Sequence, residues 1–493
     1  MSIEADSTFD AASRFPCRRV EMGLDRRAWL QRAGSGLGML ALADLLGAGR
    51  SARGNEPSTS VESHHDEAPR HDPLAPKAGH HAAKATRVIW LFMEGGPSAV
   101  DLFDPKPELQ QRHGEKIDID VFFGNPGPLM KSPFEFKRYG ECGAWVCDRY
   151  QHVAKHVDKF AMLKSCYSGS DNHVPALYQM NTGIPRPGFP AAGSWITYGL
   201  GSESRNLPGY VVLGNTQGVK GGPLNWSSGF LPATYQGTLF RTEGNPVLNL
   251  RRAQEISELD QRSQLDLMSR LNQRHAERYP AEPDLTARIE AFELASRMQT
   301  EASEVVDLSR ETEETRELYG LHDPRSRSFG GKCLMARRLI ESGVRFVQVY
   351  SDGEWDAHSK LTQNHTDHCA ATDVPIDGLL TDLERRGLLE STLVIWGGEF
   401  GRMPVSQSGD GRDHNPNGFL TWMAGAGIKG GTSVGETDEF GYKATVDPIS
   451  VHDLHATMLH LLGIDHERLT YRHLGRSFRL TDVAGTVIDR VLS

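Results

Sequence analysis

An unbroken apolar run at residues 88–93 (VIWLFM) stands out along the chain, with comparable, mostly apolar runs at 210–213 (YVVL), 344–350 (VRFVQVY) and 392–396 (TLVIW). A run with no polar alternation predicts a strand buried on both faces, the pattern of parallel sheets covered by helices. Helical patterns lie between the runs. Residues 334–342 precede the third run, and 374–386, with Ile376, Leu379, Leu380 and Leu383 at helical spacing, precede the fourth. This βαβα order predicts an α/β fold, a doubly wound, mostly parallel sheet with helices on both faces. Residues 250–318 are dense in Glu, Arg, Gln and Leu and are interrupted at Tyr279-Pro280-Ala281-Glu282-Pro283. They predict two or three amphipathic surface helices, an insertion or a solvated flank.

The N-terminus reads differently. Arg26-Arg27-Ala28-Trp29-Leu30 precedes a small, apolar, Gly-rich stretch that is broken by Asp44 and too short for a span of about 20 residues. Residues 1–48 resemble a twin-arginine export signal, which implies a periplasmic or otherwise extracytoplasmic protein, the twin-arginine machinery as a partner and no membrane span in the mature chain. Residues 49–85, rich in Ser, Pro, Gly, Ala and His without apolar period, read as a flexible linker. The folded domain is then 86–493.

Composition narrows the function classes. Of 493 residues 38% are hydrophobic and 24% charged, ordinary for a globular chain. A formal charge of −10 spread along the sequence excludes the cationic footprint that nucleic acid demands. With Cys17 in the signal, an odd number of cysteines remains. Cys142 and Cys147 are the nearest candidates for a disulfide.

In open α/β sheets the site lies beyond the carboxyl ends of the strands. Four stretches qualify: Glu94-Gly95-Gly96-Pro97-Ser98, Ser351 to His358, Gly397 to Arg402, and the Gly-rich loop Gly411-Arg412-Asp413-His414-Asn415. Carboxylates and imidazoles gathered at one edge need a divalent cation to offset their repulsion. Arg402 and Arg412 have the fork geometry that clamps an anionic oxygen pair, and Ser98 is a weaker nucleophile candidate.

These residues carry a resemblance. Residues 376–401, ending in Trp396-Gly397-Gly398-Glu399-Phe400-Gly401, resemble the sulfatase segment that runs into "S-D-H-G" or "S-D-N-G"; residues 451–464 resemble "D-L-x-P-T-x-L-x-x-L-G-I"; and Pro175 to Gly183 has the spacing of "C-x-P-S-R-x-x-L-L-T-G". The whole chain, through "EGGPSAVDLFDPKP", "WDAH", "GGEFGR" and "GRDHNP", resembles a bacterial sulfatase-like family of unknown function within the alkaline phosphatase and sulfatase superfamily. The resemblance implies an alkaline phosphatase-like fold and one or two divalent ions (Zn, Mn, Ca or Mg). The ligands it implies are Glu94, Asp356, His358, Glu399 and His414, with His365, His368 and His455 as second choices. It departs from the pattern at Phe400, where a ligand is usual, and at His173, where sulfatases carry a modified Cys and phosphatases Ser or Thr.

His173 is available as nucleophile, as general acid or as a further ligand, and attack by metal-activated water needs no protein nucleophile. The expectation is an exported metal-dependent hydrolase of phosphate or sulfate esters. Its catalytic residues would be His173 and Arg402, and its partner an anionic ester, including a sulfated or phosphorylated glycan. The alternative is a metal-binding envelope scaffold that has lost turnover and binds glycan through exposed aromatics such as Trp195 and Trp226.

Overall fold

A computed structural model describes residues 72–493, apart from 123, 215–217, 242–256, 279–288, 290–291, 296, 299–301 and 303. The export signal and the first part of the predicted linker lie outside the described residues. Residues 72–85 have no regular structure, yet backbone hydrogen bonds fasten them to the body, from Lys77 to Leu200 and from Lys84 and Ala85 to Leu461.

The core is one nine-stranded sheet. Its strands are β1 (Arg87–Phe92), β2 (Phe160–Tyr167), β3 (Tyr210–Leu213), β4 (Thr238–Phe240), β5 (Phe346–Tyr350), β6 (Thr392–Gly397), β9 (Phe419–Gly425), β10 (Thr432–Val434) and β11 (Ile449–Ser450). Two more, β7 (Gly401–Gln407) and β8 (Gly411–Asn415), form a separate antiparallel hairpin between β6 and β9. Across the sheet the order is β10-β2-β9-β6-β1-β5-β3-β4, with β11 also against β2. Only β9 runs against its neighbours; every other pairing is parallel. All four predicted apolar runs are strands of this sheet.

β1 shows why the run is unbroken. Val88, Trp90 and Phe92 pack into the core on one face, and Ile89, Leu91 and Met93 into the core on the other. The first face is covered by α1 (His173–Thr182), α2 (Ala192–Leu200) and α6 (Val451–Leu461), the second by α4 (Arg327–Glu341) and α5 (Leu361–Arg385). The sheet is therefore doubly wound, as the pattern predicts. Full burial of each such side chain stabilises by about 1.5–3 kcal/mol, so a polar residue on either face would be costly.

Several elements differ from expectation. α5 begins at Leu361, well before residue 374, because Leu361, His365, Cys369 and Thr372 continue the buried stripe through Pro375, a residue that ordinarily ends a helix. The segment around His414 is not a loop but strand β8. Within 250–318 the described residues include α3 (Glu258–Arg278) and a short helix at Glu313–Leu318. Cys142 and Cys147 are both free thiols, one exposed and one buried, so the suggested disulfide is absent. Among the described residues no helix is long and apolar enough to cross a membrane.

Candidate metal centre

Parallel strands bring their carboxyl ends to one edge, and there the chain assembles its acids and imidazoles. Glu94 follows β1, Asp356 and His358 follow β5, Glu399 follows β6, and His414 stands on β8. His173 is the first residue of α1, capped by the Asn172 side chain, which accepts from the Val174 amide. The hairpin lies directly on the Asp356–His358 segment. Arg412 N–H donates to the Ala357 carbonyl at 2.9 Å, and a Cβ on Gly411 would fall 2.2 Å from His358 backbone, so only glycine permits the approach.

One ligand atom from each of His173, Asp356, His358 and His414 falls within 4.8 Å of the other three. The His358 and His414 Nε2 atoms are 2.9 Å apart, and Asp356 Oδ1 lies 3.0 Å from the first and 3.4 Å from the second. His173 Nε2 is 3.0 Å from Asp356 Oδ2, an ion-pair contact without the alignment of a hydrogen bond. The opposite ring nitrogens are fixed: His173 Nδ1 to Glu399 Oε1 at 2.6 Å, His358 Nδ1 to Gln407 at 2.5 Å, and His414 Nδ1 to the Asp171 carbonyl at 2.6 Å. Imidazoles held at Nδ1 with Nε2 converging on one point are the arrangement of metal ligands with their orienting partners.

Charge tells the same story. Burial alone would raise the Asp356 carboxyl, but three imidazoles and the Arg402 guanidinium hold it far below the usual carboxylate range. Burial depresses His173, yet Asp356 and Glu399 outweigh it and raise the imidazole. His358 is raised by Asp356, while burial lowers His414.

Glu94 and Glu399, expected as ligands, lie beside this cluster and not in it. Glu399 is fully buried and accepts from the Gly95 amide at 3.0 and 3.1 Å. Gly95 adopts φ 107°, and a Cβ there would meet the Trp355 amide at 2.5 Å. Glu94 Oε1 accepts from the Lys220 amide at 2.7 Å; its Oε2 is buried without a partner. Burial and the Glu399 charge push the Glu94 carboxyl up to about 7.

A sign follows from this shift. In metal-stripped protein the folded state binds the Glu94 proton more tightly than the unfolded chain does. That stability is fully present below pH 4.5 and is lost as pH rises toward about 7. Glu94→Gln is expected to flatten the fall, read by urea unfolding in chelator across this range; an unchanged slope would show that Glu94 is not its source.

The expected anion clamps are corrected. Arg402 is 1% exposed and donates to the Gly95, Gly96 and Arg412 carbonyls and, at 2.8 Å, to Asp356 Oδ1. It positions Asp356 and has no face for substrate. Arg412 is fully buried in a forked pair with Asp101, at 2.7 and 3.1 Å. Ser98 donates to the same Asp101 at 2.5 Å and is fully buried, so it is no nucleophile.

Of the second-choice histidines, His365 accepts from the Ser98 amide and His455 is held to the Met180 carbonyl. Burial pushes both down to about 3. His368 packs edge-on to Trp355. Phe400, in place of a ligand, lies against the His173 and His414 rings at 4.9 and 4.5 Å. Trp195 and Trp226 are buried, so neither offers an exposed platform for glycan.

Sequence reasoning missed Lys220, Gln407 and Asp171. Lys220 lies beyond β3 in Gly218-Val219-Lys220-Gly221-Gly222, so its position after a buried strand is the signal that points to it.

A family model described as a protein of unknown function, DUF1501, matches residues 85–492. The chain belongs to that family. No curated protein matches the DUF1501 chain. Among solved structures it is similar to the lipoteichoic acid synthase LtaP from Listeria monocytogenes, with TM-score 0.35 and 8% identity over 85% of this chain and 80% of that one. It is similar also to an alkaline phosphatase superfamily protein from Vibrio parahaemolyticus, with TM-score 0.32 and 9% identity over 80% and 70%. A sulfatase from Pseudoalteromonas sp. scores 0.32 at 13% identity over 78% and 68%.

Proposed function

We propose that this DUF1501 protein is an exported, metal-dependent hydrolase of phosphate or sulfate esters. The observation that carries the reading is the convergence of three imidazoles and a carboxylate within 4.8 Å, with two Nε2 atoms 2.9 Å apart. The two Nε2 atoms share a single 2.9 Å contact beside the Asp356 carboxylate, an arrangement that a divalent cation would hold more strongly than one shared proton does. Asp356, His358 and His414 would hold one divalent ion, and the imidazole content favours zinc or manganese over magnesium or calcium. Glu94 and Glu399 would serve a second. When bound, such an ion polarises the ester oxygens and acidifies water.

The chain's own groups supply the rest. Glu399 accepts a 2.6 Å hydrogen bond from His173 Nδ1–H and fixes the ring, leaving Nε2 toward the centre to carry a proton between water and leaving group. Phe400 shields the rings from water on one side. The centre is not sealed: the His358 side chain is 33% exposed and Asp356 18%, which favours turnover over a closed structural site.

The test is elemental mass spectrometry of the purified protein together with turnover of aryl phosphate, phosphodiester and sulfate esters, with His173→Gln alongside. Stoichiometric metal in both proteins and turnover only in the wild type are expected. Metal without turnover in the wild type would make the protein a scaffold, and a wild type without metal would remove the centre.

A further inference from the structure

With Arg402 and Arg412 committed inside the protein, an anionic substrate must be met by another cation, and Lys220 occupies that place. Its ammonium lies 2.8 Å from Glu354 Oε2 and 3.4 Å from Asp356 Oδ2, the oxygen that also faces His173 Nε2 at 3.0 Å. An anionic oxygen beside His173 is thus within reach of Nζ. The side chain is 29% exposed, so it opens to solvent as the guanidinium groups do not.

The backbone around Lys220 is built for one position. Gly221 takes φ 75° and its carbonyl accepts from Tyr178 Oη at 3.1 Å. Asn225 Nδ2 donates to the Lys220 carbonyl at 2.7 Å, and Asn181 Nδ2 donates to Asn225 Oδ1 at 3.1 Å. Tyr178 and Asn181 belong to α1, the helix that begins with His173. One rigid element therefore sets both the imidazole and the ammonium. The Lys220 amide, by holding Glu94, ties the same loop to the second carboxylate group.

Glu354 differs from the other acids of the centre. Its side chain is 44% exposed, and an exposed ion pair is weakly held and readily exchanged. Asp356, the other partner of the ammonium, is claimed by the imidazoles and Arg402. We propose that Lys220 binds the tetrahedral oxyanion of the substrate, giving up Glu354 for a phosphoryl or sulfuryl oxygen, and that Glu354 sets selectivity by competing for the same ammonium. The proposal rests on the metal-dependent reading of the centre and names its specificity residue.

Calorimetric titration of the metal-loaded full chain with inorganic phosphate, and separately with inorganic sulfate, tests it. Wild type, Lys220→Met, Lys220→Arg and Glu354→Gln are compared, with metal content measured in each. Loss of one charge-assisted hydrogen bond corresponds to about tenfold to hundredfold weaker binding in Lys220→Met. Metal content is expected to stay unchanged, Arg to restore part of the affinity and Glu354→Gln to bind more tightly. Where turnover is measurable, KM should rise and kcat change little. Whichever of the two anions binds identifies the source of the oxyanion. Wild-type affinity in Lys220→Met, loss of metal in that variant, or a wild type that binds neither anion would overturn the proposal. A wild type that binds metal and anion without hydrolysis would sink the enzymatic reading and leave the anion site standing.

Discussion

Asp356→Asn is expected to strip the centre of metal and to lower kcat/KM about a thousandfold or more, a loss of about 4 kcal/mol of transition-state stabilisation. The carboxylate is the hub of the site. It lies within 3.4 Å of nitrogens from His173, His358, His414, Lys220 and Arg402. An amide has nearly the same shape but brings an N–H among donors and cannot neutralise a cation. It would also leave the Arg402 guanidinium buried without its counter-charge, so a fall in stability should accompany the loss of metal. Elemental analysis, ester turnover and urea unfolding of the same sample read all three effects. Full metal and full turnover in the variant would show that Asp356 is not a ligand.

The largest expected effect on stability lies one layer deeper, at Arg412. Both Arg412 and Asp101 are fully buried, and the guanidinium also donates to the Met403, Pro404 and Met130 carbonyls. Arg412→Ala leaves the Asp101 charge in the core without its counter-charge and removes a donor from the Met403, Pro404 and Met130 carbonyls, of which Pro404 keeps the Met130 amide. A cost of about 3–5 kcal/mol is expected, read from the shift in the urea unfolding midpoint. Replacing both partners with apolar residues should cost less than the sum of the single changes, because no unpaired charge then remains. If Arg412→Ala unfolds with the wild type, the pair contributes no net stability.

The fold was legible where burial leaves a mark on the sequence. β1 reads as a strand because both of its faces are covered, and the same holds for β3, β5 and β6. β2 and β9 escaped notice: Lys164 and Ser165 break the first, and Thr421 the second, although Ser165 and Thr421 are fully buried. The rule of strand ends named Asp356, His358, His414, Glu94 and Glu399; the fold carries all five to that edge, with Glu94 and Glu399 outside the cluster of ligand atoms. It misjudged Arg402, because an arginine that serves a substrate and one that pins a carboxylate from within look identical until burial is known. Lys220 is hidden for a different reason: β3 is short, and the glycine-rich segment after it carries no acid or imidazole to mark a site.

The position of β1 has a consequence for how the protein is made. This first strand of the domain to leave the ribosome lies in the middle of the sheet, with one edge on β5 at 346–350 and the other on β6 at 392–397. Both of its neighbours are synthesised hundreds of residues later, so a very apolar strand waits with two open edges while most of the chain emerges. Contacts this distant in sequence close slowly. Fragments ending before β5 should therefore aggregate rather than fold, and the whole domain, not its N-terminal half, is the smallest unit able to assemble the centre.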